Sequence, residues 1–181
     1  MSESPSTSPH TSPGAPGPEP KRATYSWHPW ALLAAGCLLY LPFLGAYGPL
    51  DPTDSFFIEA GREAVETSQY LLPMINYEPW LDKPILYFWA VAGCFKLLGI
   101  NAFAGRIFTA LTAIALGLVT YGATKPFLGA RQALLAALAF YAFPLSSALG
   151  HVSLTDMPLT LFMTSGLFGL FHYLHKGGRL P

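Results

Sequence analysis

The chain has 181 residues, of which 52% are hydrophobic and only 11% are charged, and its formal net charge is zero. Residues 30–50 and 132–155 carry no charge at all, and runs of about 18 or more uncharged apolar residues are typical of membrane-spanning helices. This composition excludes a soluble globular protein. It also excludes a nucleic-acid partner, because no basic stripe is present to neutralise phosphates.

The N-terminal part predicts a tail followed by a first membrane span. Residues 1–26 are rich in Pro, Ser, Thr and Gly and predict a disordered cytoplasmic tail. Residues 30–47 are the first predicted span. A cleaved signal peptide is the alternative, because the basic pair Lys21 and Arg22 precedes the apolar run and small residues follow it. The long polar leader and the interfacial tryptophans favour a retained anchor.

An acid-rich segment, residues 51–84, follows this span. It holds seven of the ten acidic residues: Asp51, Asp54, Glu59, Glu63, Glu66, Glu78 and Asp82. Asp51-Pro52 predicts a helix start, with Asp as the N-cap and Pro at the first helical position. The helix is expected to lie along the membrane with its glutamates in solvent and an apolar side consisting of Phe56, Phe57, Ala60, Ala64 and Val65. Residues 77–80 are predicted to form a loop.

The positions of basic residues predict the topology. Residues 84–98 are apolar but too short to distinguish a span from an interfacial helix. Later spans are predicted at residues 102–124, 130–150 and 157–175. If residues 84–98 do not cross, all basic loop pairs lie on one side, as the positive-inside rule requires. Residues 27–181 then form an all-α, polytopic domain of a plasma or inner membrane protein. It has four spans, cytoplasmic termini and an extracytoplasmic loop, residues 48–101, that carries interfacial helices.

This topology brings several candidate site residues to the extracytoplasmic face. Asp54 and Asp156 are carboxylates that could act as a general base or bind a cation; the alternative is that each only stabilises a helix start. Lys83 could neutralise a phosphate in an interface of low dielectric, or it could simply extend to the surface and pair with Asp82.

Three further positions have weaker signals. Trp80 could stack on a sugar ring, although tryptophans are common at membrane interfaces for other reasons. His151 could join Asp82 and Asp156 in holding a divalent cation, although a lone histidine is usually only hydrogen-bonded. Arg62 and Arg106 are expected to be partners of carboxylates or lipid headgroups rather than catalytic groups.

Three segments together resemble a known family. They are residues 51–89 (DPTDSFFIEAGREAVETSQYLLPMINYEPWLDKPILYFW), residues 97–111 (LLGINAFAGRIFTAL) and residues 154–162 (LTDMPLTLF). In order and spacing they resemble the N-terminal part of the dolichyl-phosphate-mannose protein mannosyltransferase family, which includes the bacterial lipid A aminoarabinose transferases. The resemblance covers roughly residues 48–175. It implies a membrane glycosyltransferase of the GT-C type that uses a polyprenyl-phosphate sugar at the extracytoplasmic surface.

The resemblance also implies roles for individual residues. The catalytic carboxylate of the family matches Asp54, although the family's acidic pair stands here as Thr53-Asp54. The family's Glu-Lys-Pro motif matches residues 82–84, so Lys83 would contact the donor phosphate. Asp82 would be an acidic site residue that binds metal in some members, and Asp156 matches the acid of the second extracytoplasmic loop.

We therefore expect sugar transfer from a polyprenyl-phosphate donor to a protein or lipid acceptor. Family members are longer, so the chain is expected to be an N-terminal portion that is inactive alone. One alternative is a non-catalytic membrane scaffold or degenerate remnant. The other is a transporter or channel subunit, which would be expected to carry acids within its spans; here they all lie outside the predicted spans.

Overall fold

The protein is described by a computed structural model that covers residues 27–49 and 52–175. This part of the chain forms seven helices and one two-stranded hairpin: α1 (His28–Tyr40), α2 (Pro52–Thr67), β1 (Met74–Ile75), β2 (Glu78–Pro79), α3 (Ile85–Leu98), α4 (Ala102–Leu128), α5 (Ala130–Ala142), α6 (Pro144–Gly150) and α7 (Asp156–His175). The predicted disordered tail and the predicted Asp51 cap lie outside the described residues.

Helix α4 is the centre of the structure. With 27 residues it is about 40 Å long at 1.5 Å per residue. Asn101 caps its start by accepting a hydrogen bond from the Ala104 amide at 2.9 Å, and Gly129, with φ of 86°, ends it. The helix packs against α1, α5 and α7 and also against α2 and α3.

Two clusters of buried apolar side chains result from this packing. The first joins α4 to α1 and α5 and includes Leu32, Tyr40, Leu116, Ala137 and Tyr141. The second joins α2 and α3 to the start of α4 and includes Phe57, Phe88, Val91, Phe95 and Ala104. The candidate site lies where both clusters meet the α1–α2 connection and the α6–α7 connection.

Two described helices, α4 and α7, are long and apolar enough to cross a membrane, and the pair α5–α6 would make a third if it counts as one span. Helices α1 and α3 are shorter, with 13 and 14 residues. By length alone neither reaches the roughly 20 residues that a hydrocarbon core requires. The crossing of α1, the interfacial placement of α3 and the orientation of the termini remain predictions.

Several element boundaries differ from the sequence prediction. Helix α1 ends at Tyr40, and residues 41–47 form turns instead of continuing the helix to residue 47. The single helix expected over residues 130–150 is bent by 65° at Phe143, because Pro144 follows and a residue before proline is driven out of the helical conformation. The expected loop at residues 77–80 contains β2.

The expected sidedness of α2 is wrong at Glu63, which was assigned to the solvated side but is fully buried. The reason is that α3, α4 and β1 all pack against α2, so more than one side of the helix is buried. At Gly61 the approach of α3 is so close that a Cβ atom would lie 2.6 Å from Val91.

Candidate functional site

A buried ion pair joins Asp54 to Arg106. Asp54 lies in the first turn of α2 and Arg106 in the first turns of α4, and both side chains have zero exposure. Arg106 Nη2 lies 2.7 Å from Asp54 Oδ2, and Nε donates to Oδ1 at 3.4 Å. The backbone amide of Ser153 also donates to Oδ1, at 2.6 Å. Both carboxylate oxygens are therefore engaged, and of the two partners expected for Arg106, a carboxylate or a lipid headgroup, the structure shows a carboxylate.

Arg106 also fixes the connection between α1 and α2. Its Nη1 donates to the carbonyl oxygens of Leu44 and Tyr47, both at 2.9 Å. Its Nη2 donates to the carbonyl oxygen of Gly48 at 2.8 Å, and the guanidinium lies 5.0 Å from the centre of the Tyr47 ring. Because a guanidinium presents five donors in a fixed plane, this one side chain holds α2, α4 and the turn after α1 together.

A chain of hydroxyl groups continues from this ion pair into the interior. Ser153, whose amide binds Asp54, is itself fully buried. The Tyr87 hydroxyl lies 2.9 Å from Ser153 Oγ and 2.7 Å from Thr109 Oγ1. The network connects α2, α3, α4 and the α6–α7 connection through polar atoms that all have partners, and such fully satisfied networks rigidify a core.

Lys83 and Asp82 lie on the surface rather than in this network. Their side chains are 41% and 66% exposed, and Lys83 Nζ lies 3.5 Å from Asp82 Oδ2. An exposed pair of this kind contributes little to stability. Lys83 immediately precedes Pro84, the residue before α3, so the charge stands at the start of that helix.

An apolar groove of about 630 Å³ begins at this point. It runs between α3 and α7, and its lining includes Pro84, Tyr87, Phe108, Thr155, Leu159 and Phe162. Tyr87 belongs both to the lining and to the hydroxyl network beside Asp54. The wall of the groove is almost entirely apolar, which suits a hydrocarbon tail, and the exposed Lys83 precedes its first lining residue in the chain.

Trp80, the candidate for sugar stacking, is used in packing. Its ring centre lies 5.8 Å from that of Phe56, 6.2 Å from that of Phe57 and 5.8 Å from that of Phe88. Aromatic pairs at these separations are stabilising, so the indole anchors the hairpin to α2 and α3.

The residues expected to hold a cation, Asp82, Asp156 and His151, do not form a metal-binding cluster. Asp156 is exposed at the first residue of α7. His151 Nδ1 donates to the carbonyl oxygen of Ser147 at 2.7 Å, which leaves Nε2 as the acceptor nitrogen. Within residues 27–49 and 52–175 no three His, Cys, Asp or Glu side chains are grouped to hold a metal. The expected grouping of Asp82, Asp156 and His151 is thus absent from the described residues.

Sequence reasoning did not identify Ser153, Tyr87, Thr109 and Glu63 as parts of the site region. Serine, threonine and tyrosine inside apolar segments carry no periodic signal. The sequence offered one chemical indication: a buried carboxylate needs hydrogen-bond donors, and Arg106 was expected to pair with a carboxylate or a lipid headgroup.

Comparison with known proteins gives the family. Residues 82–179, more than half of the chain, match the family model described as dolichyl-phosphate-mannose-protein mannosyltransferase. The chain is 28% identical over 142 residues to an uncharacterized protein of Aquifex aeolicus. The aligned region covers 77% of this chain and 28% of that relative. It is 30% identical over 132 residues to an undecaprenyl phosphate-alpha-4-amino-4-deoxy-L-arabinose arabinosyl transferase of Pectobacterium atrosepticum, covering 72% of this chain and 24% of the relative.

A solved structure shares the fold. The crystal structure of ArnT from Cupriavidus metallidurans bound to undecaprenyl phosphate superposes with a TM-score of 0.70 at 23% identity, covering 75% of this chain and 25% of that one. The predicted helical membrane fold, corresponding to the N-terminal part of a GT-C structure, is thereby confirmed. The chain spans about a quarter of the length of the relatives it matches.

Proposed function

The chain belongs to the dolichyl-phosphate-mannose-protein mannosyltransferase family, and from this premise we propose that it serves sugar transfer from a polyprenyl-phosphate donor to a lipid or protein acceptor. The proposed reaction takes place at the extracytoplasmic membrane surface. The arabinosyl transferases among its relatives are named for an undecaprenyl-phosphate sugar, which makes a carrier of this class the first one to test.

The observation that carries the proposal is the apolar groove whose lining begins at Pro84, the residue that follows Lys83 in the chain. A polyprenyl phosphate has an anionic head and a long hydrocarbon tail. The groove between α3 and α7 offers about 630 Å³ of apolar space, and Lys83, one residue from its edge, has only the exposed Asp82 as an ion-pair partner within the described residues. In an interface of low dielectric an ammonium group attracts phosphate more strongly than it does in water.

The proposed chemistry is displacement at the anomeric carbon of the donor sugar. An acceptor oxygen forms the new bond to this carbon, the bond between the carbon and the phosphate oxygen breaks, and the polyprenyl phosphate leaves with the electron pair. Lys83 stabilises the negative charge of the departing phosphate. The proton of the acceptor passes to a carboxylate, for which the family resemblance proposes Asp54.

To act as the proton acceptor, Asp54 must give up one of its present hydrogen bonds. Its carboxylate has zero exposure, and both oxygens already accept hydrogen bonds from Arg106 or Ser153. For proton transfer, one oxygen must exchange its contact with Arg106 for the acceptor hydroxyl when the substrates bind. Arg106 can release it at reduced cost because it retains the carbonyl oxygens of Leu44, Tyr47 and Gly48.

Binding and transfer are tested separately. The purified chain in detergent is titrated with undecaprenyl phosphate and, as the matched control, with undecaprenol, which has the same tail without the phosphate. We expect the phosphate to bind more tightly and Lys83→Met to abolish that preference, whereas Lys96→Met, at the exposed opposite end of α3, should retain it. Equal binding of both lipids by the unaltered chain would contradict the proposal.

Because the chain spans about a quarter of the length of its relatives, transfer is then measured with a polyprenyl-phosphate sugar in membranes that contain a full-length arabinosyl transferase whose N-terminal quarter is replaced by this chain. Asp54→Asn retains the shape of the side chain but cannot take up the proton, so it should abolish transfer by this chimera while leaving lipid binding intact. Turnover equal to that of the unaltered chimera would remove Asp54 from the catalytic role.

The complete burial of Asp54 favours a second candidate function, that of a non-catalytic membrane scaffold with the same fold. A carboxylate held by three donors stabilises a structure whether or not it ever meets a substrate. This candidate predicts no transfer in the same assay, and no difference between the two lipids in binding.

A further inference from the structure

Glu63 is a buried acid that the proposed chemistry does not use. It lies on α2 with zero exposure. Its Oε2 accepts a hydrogen bond from the backbone amide of Tyr77 at 3.0 Å. Its Oε1 is buried without a hydrogen-bond donor among the described residues, and Arg62 Nη2 lies 3.9 Å away. Burying a carboxylate in this way costs free energy, so the position of Glu63 requires an explanation.

The amide that Glu63 binds lies at the tip of a strained hairpin. Strands β1 and β2 pair Met74 with Pro79 and Ile75 with Glu78, which leaves Asn76 and Tyr77 as a two-residue loop. Both have positive φ, 54° and 61°, as a type I′ turn requires. Asparagine adopts this conformation readily, but tyrosine does so at a cost that glycine would avoid. Glu63 offsets that cost by accepting the Tyr77 amide.

The hairpin leads directly to Lys83. The Trp80 amide donates to the Pro73 carbonyl oxygen at 2.8 Å, which closes the base of the hairpin. Only residues 81–83 separate Trp80 from Pro84, where α3 is about to begin. Three residues span at most about 10 Å when fully extended. The position of Lys83 is therefore set by the hairpin on one side and by α3 on the other.

We propose that Glu63 is a positioning residue for Lys83: by binding the Tyr77 amide it holds the hairpin against α2 and so fixes the backbone of Lys83 immediately before Pro84, the first residue that lines the groove. This inference rests on the proposed function for the identity of the ligand, a polyprenyl phosphate. The contact that performs the positioning is independent of that function.

The first readout is amide hydrogen exchange over residues 74–83 in the purified chain. Glu63→Ala removes the acceptor and should raise exchange at Tyr77 by roughly fivefold to tenfold, the loss expected when one intramolecular hydrogen bond is removed. Glu63→Gln retains an acceptor oxygen and should stay close to the unaltered chain. Glu59→Ala, one turn earlier on α2 and paired with Arg62, is the matched control and should leave this segment unchanged.

The second readout is the affinity for undecaprenyl phosphate relative to undecaprenol. Glu63→Ala should reduce the preference for the phosphate although Lys83 is still present. Tyr77→Gly should restore it in the Glu63→Ala background, because glycine adopts positive φ without strain and the Tyr77 side chain, 62% exposed, contributes little packing. If Glu63 served stability alone, the preference for the phosphate would stay unchanged in both variants.

The outcomes separate the two proposals. Faster exchange in Glu63→Ala with an unchanged preference for the phosphate would overturn the positioning role. Unchanged exchange would overturn it as well. If Glu63→Ala does not fold, Glu63→Met, which keeps most of the side-chain volume but offers no oxygen acceptor, takes its place in both readouts with the same expected and contradicting results. Equal binding of the two lipids by the unaltered chain would instead contradict the proposed function.

Discussion

Replacing Arg106 with methionine tests the ion pair on which the site is built. The change keeps much of the side-chain length and removes every donor. Asp54 Oδ2 would lose its hydrogen bond from Nη2, Oδ1 would retain only the Ser153 amide, and the carbonyl oxygens of Leu44, Tyr47 and Gly48 would lose their guanidinium donors. Because Asp54 has zero exposure, water cannot replace these donors without opening the structure.

The expected magnitude follows from this geometry. Removing one partner of a buried ion pair costs about 3–5 kcal/mol, because an uncompensated charge remains inside. That is a large part of the roughly 5–15 kcal/mol that stabilises a typical domain. The control is Arg62→Met, whose close ion pairs with Glu59 and Glu66 lie on the partly exposed side of α2. Because its contact with the buried Glu63 is long, at 3.9 Å, the change should cost only about 1 kcal/mol.

The assay is the free energy of unfolding in mixed micelles, followed by far-ultraviolet circular dichroism and tryptophan fluorescence. Asp54→Asn should cost less than Arg106→Met, because the cation retains three carbonyl acceptors. The double variant should be less destabilised than the sum of the single changes, since the two groups interact directly. If Arg106→Met destabilised the protein no more than Arg62→Met, the ion pair would not anchor the fold and the reasoning would fail.

Two further predictions concern packing and pH. A Cβ atom at Gly117 would lie 2.2 Å from the Tyr141 ring, so Gly117→Ala should cost about 1–3 kcal/mol. The equivalent change at Gly122 meets nothing within 4 Å and should stabilise α4 by up to about 1 kcal/mol; thermal unfolding of both variants checks the pair. The hydrogen bond from Arg62 lowers the pKa of Glu59 below its usual 4.5, so the stability it contributes is present above that pH and is lost as the pH falls through the lowered value. Glu59→Gln should therefore be destabilised by about 0.5 kcal/mol at neutral pH and level with the unaltered protein in strong acid, as the pH dependence of unfolding will show.

Several features could be predicted from local patterns. Long uncharged apolar runs mark α4 and α7, because chain segments in hydrocarbon must satisfy their own backbone hydrogen bonds. The helix that begins at Pro52 follows from its Asp-Pro start and apolar periodicity, and the three family motifs could be recognised in order. Arg106 could be expected to pair with a carboxylate or a lipid headgroup, because an arginine in an otherwise apolar segment requires a partner.

The tertiary structure decided which carboxylates are buried and what they contact. Asp54 meets Arg106 across 52 positions in the chain and Ser153 across 99, distances over which no periodicity carries information. Glu63 was expected in solvent because a helix on a flat surface has one wet side, yet α3, α4 and the hairpin surround α2 on more than one side. The bend at Phe143 likewise depends on local proline chemistry that an unbroken apolar run conceals. The sequence thus determined the secondary-structure elements and the residue types available for the site. Tertiary packing determined which of these side chains are buried, which are paired and which remain accessible to a ligand.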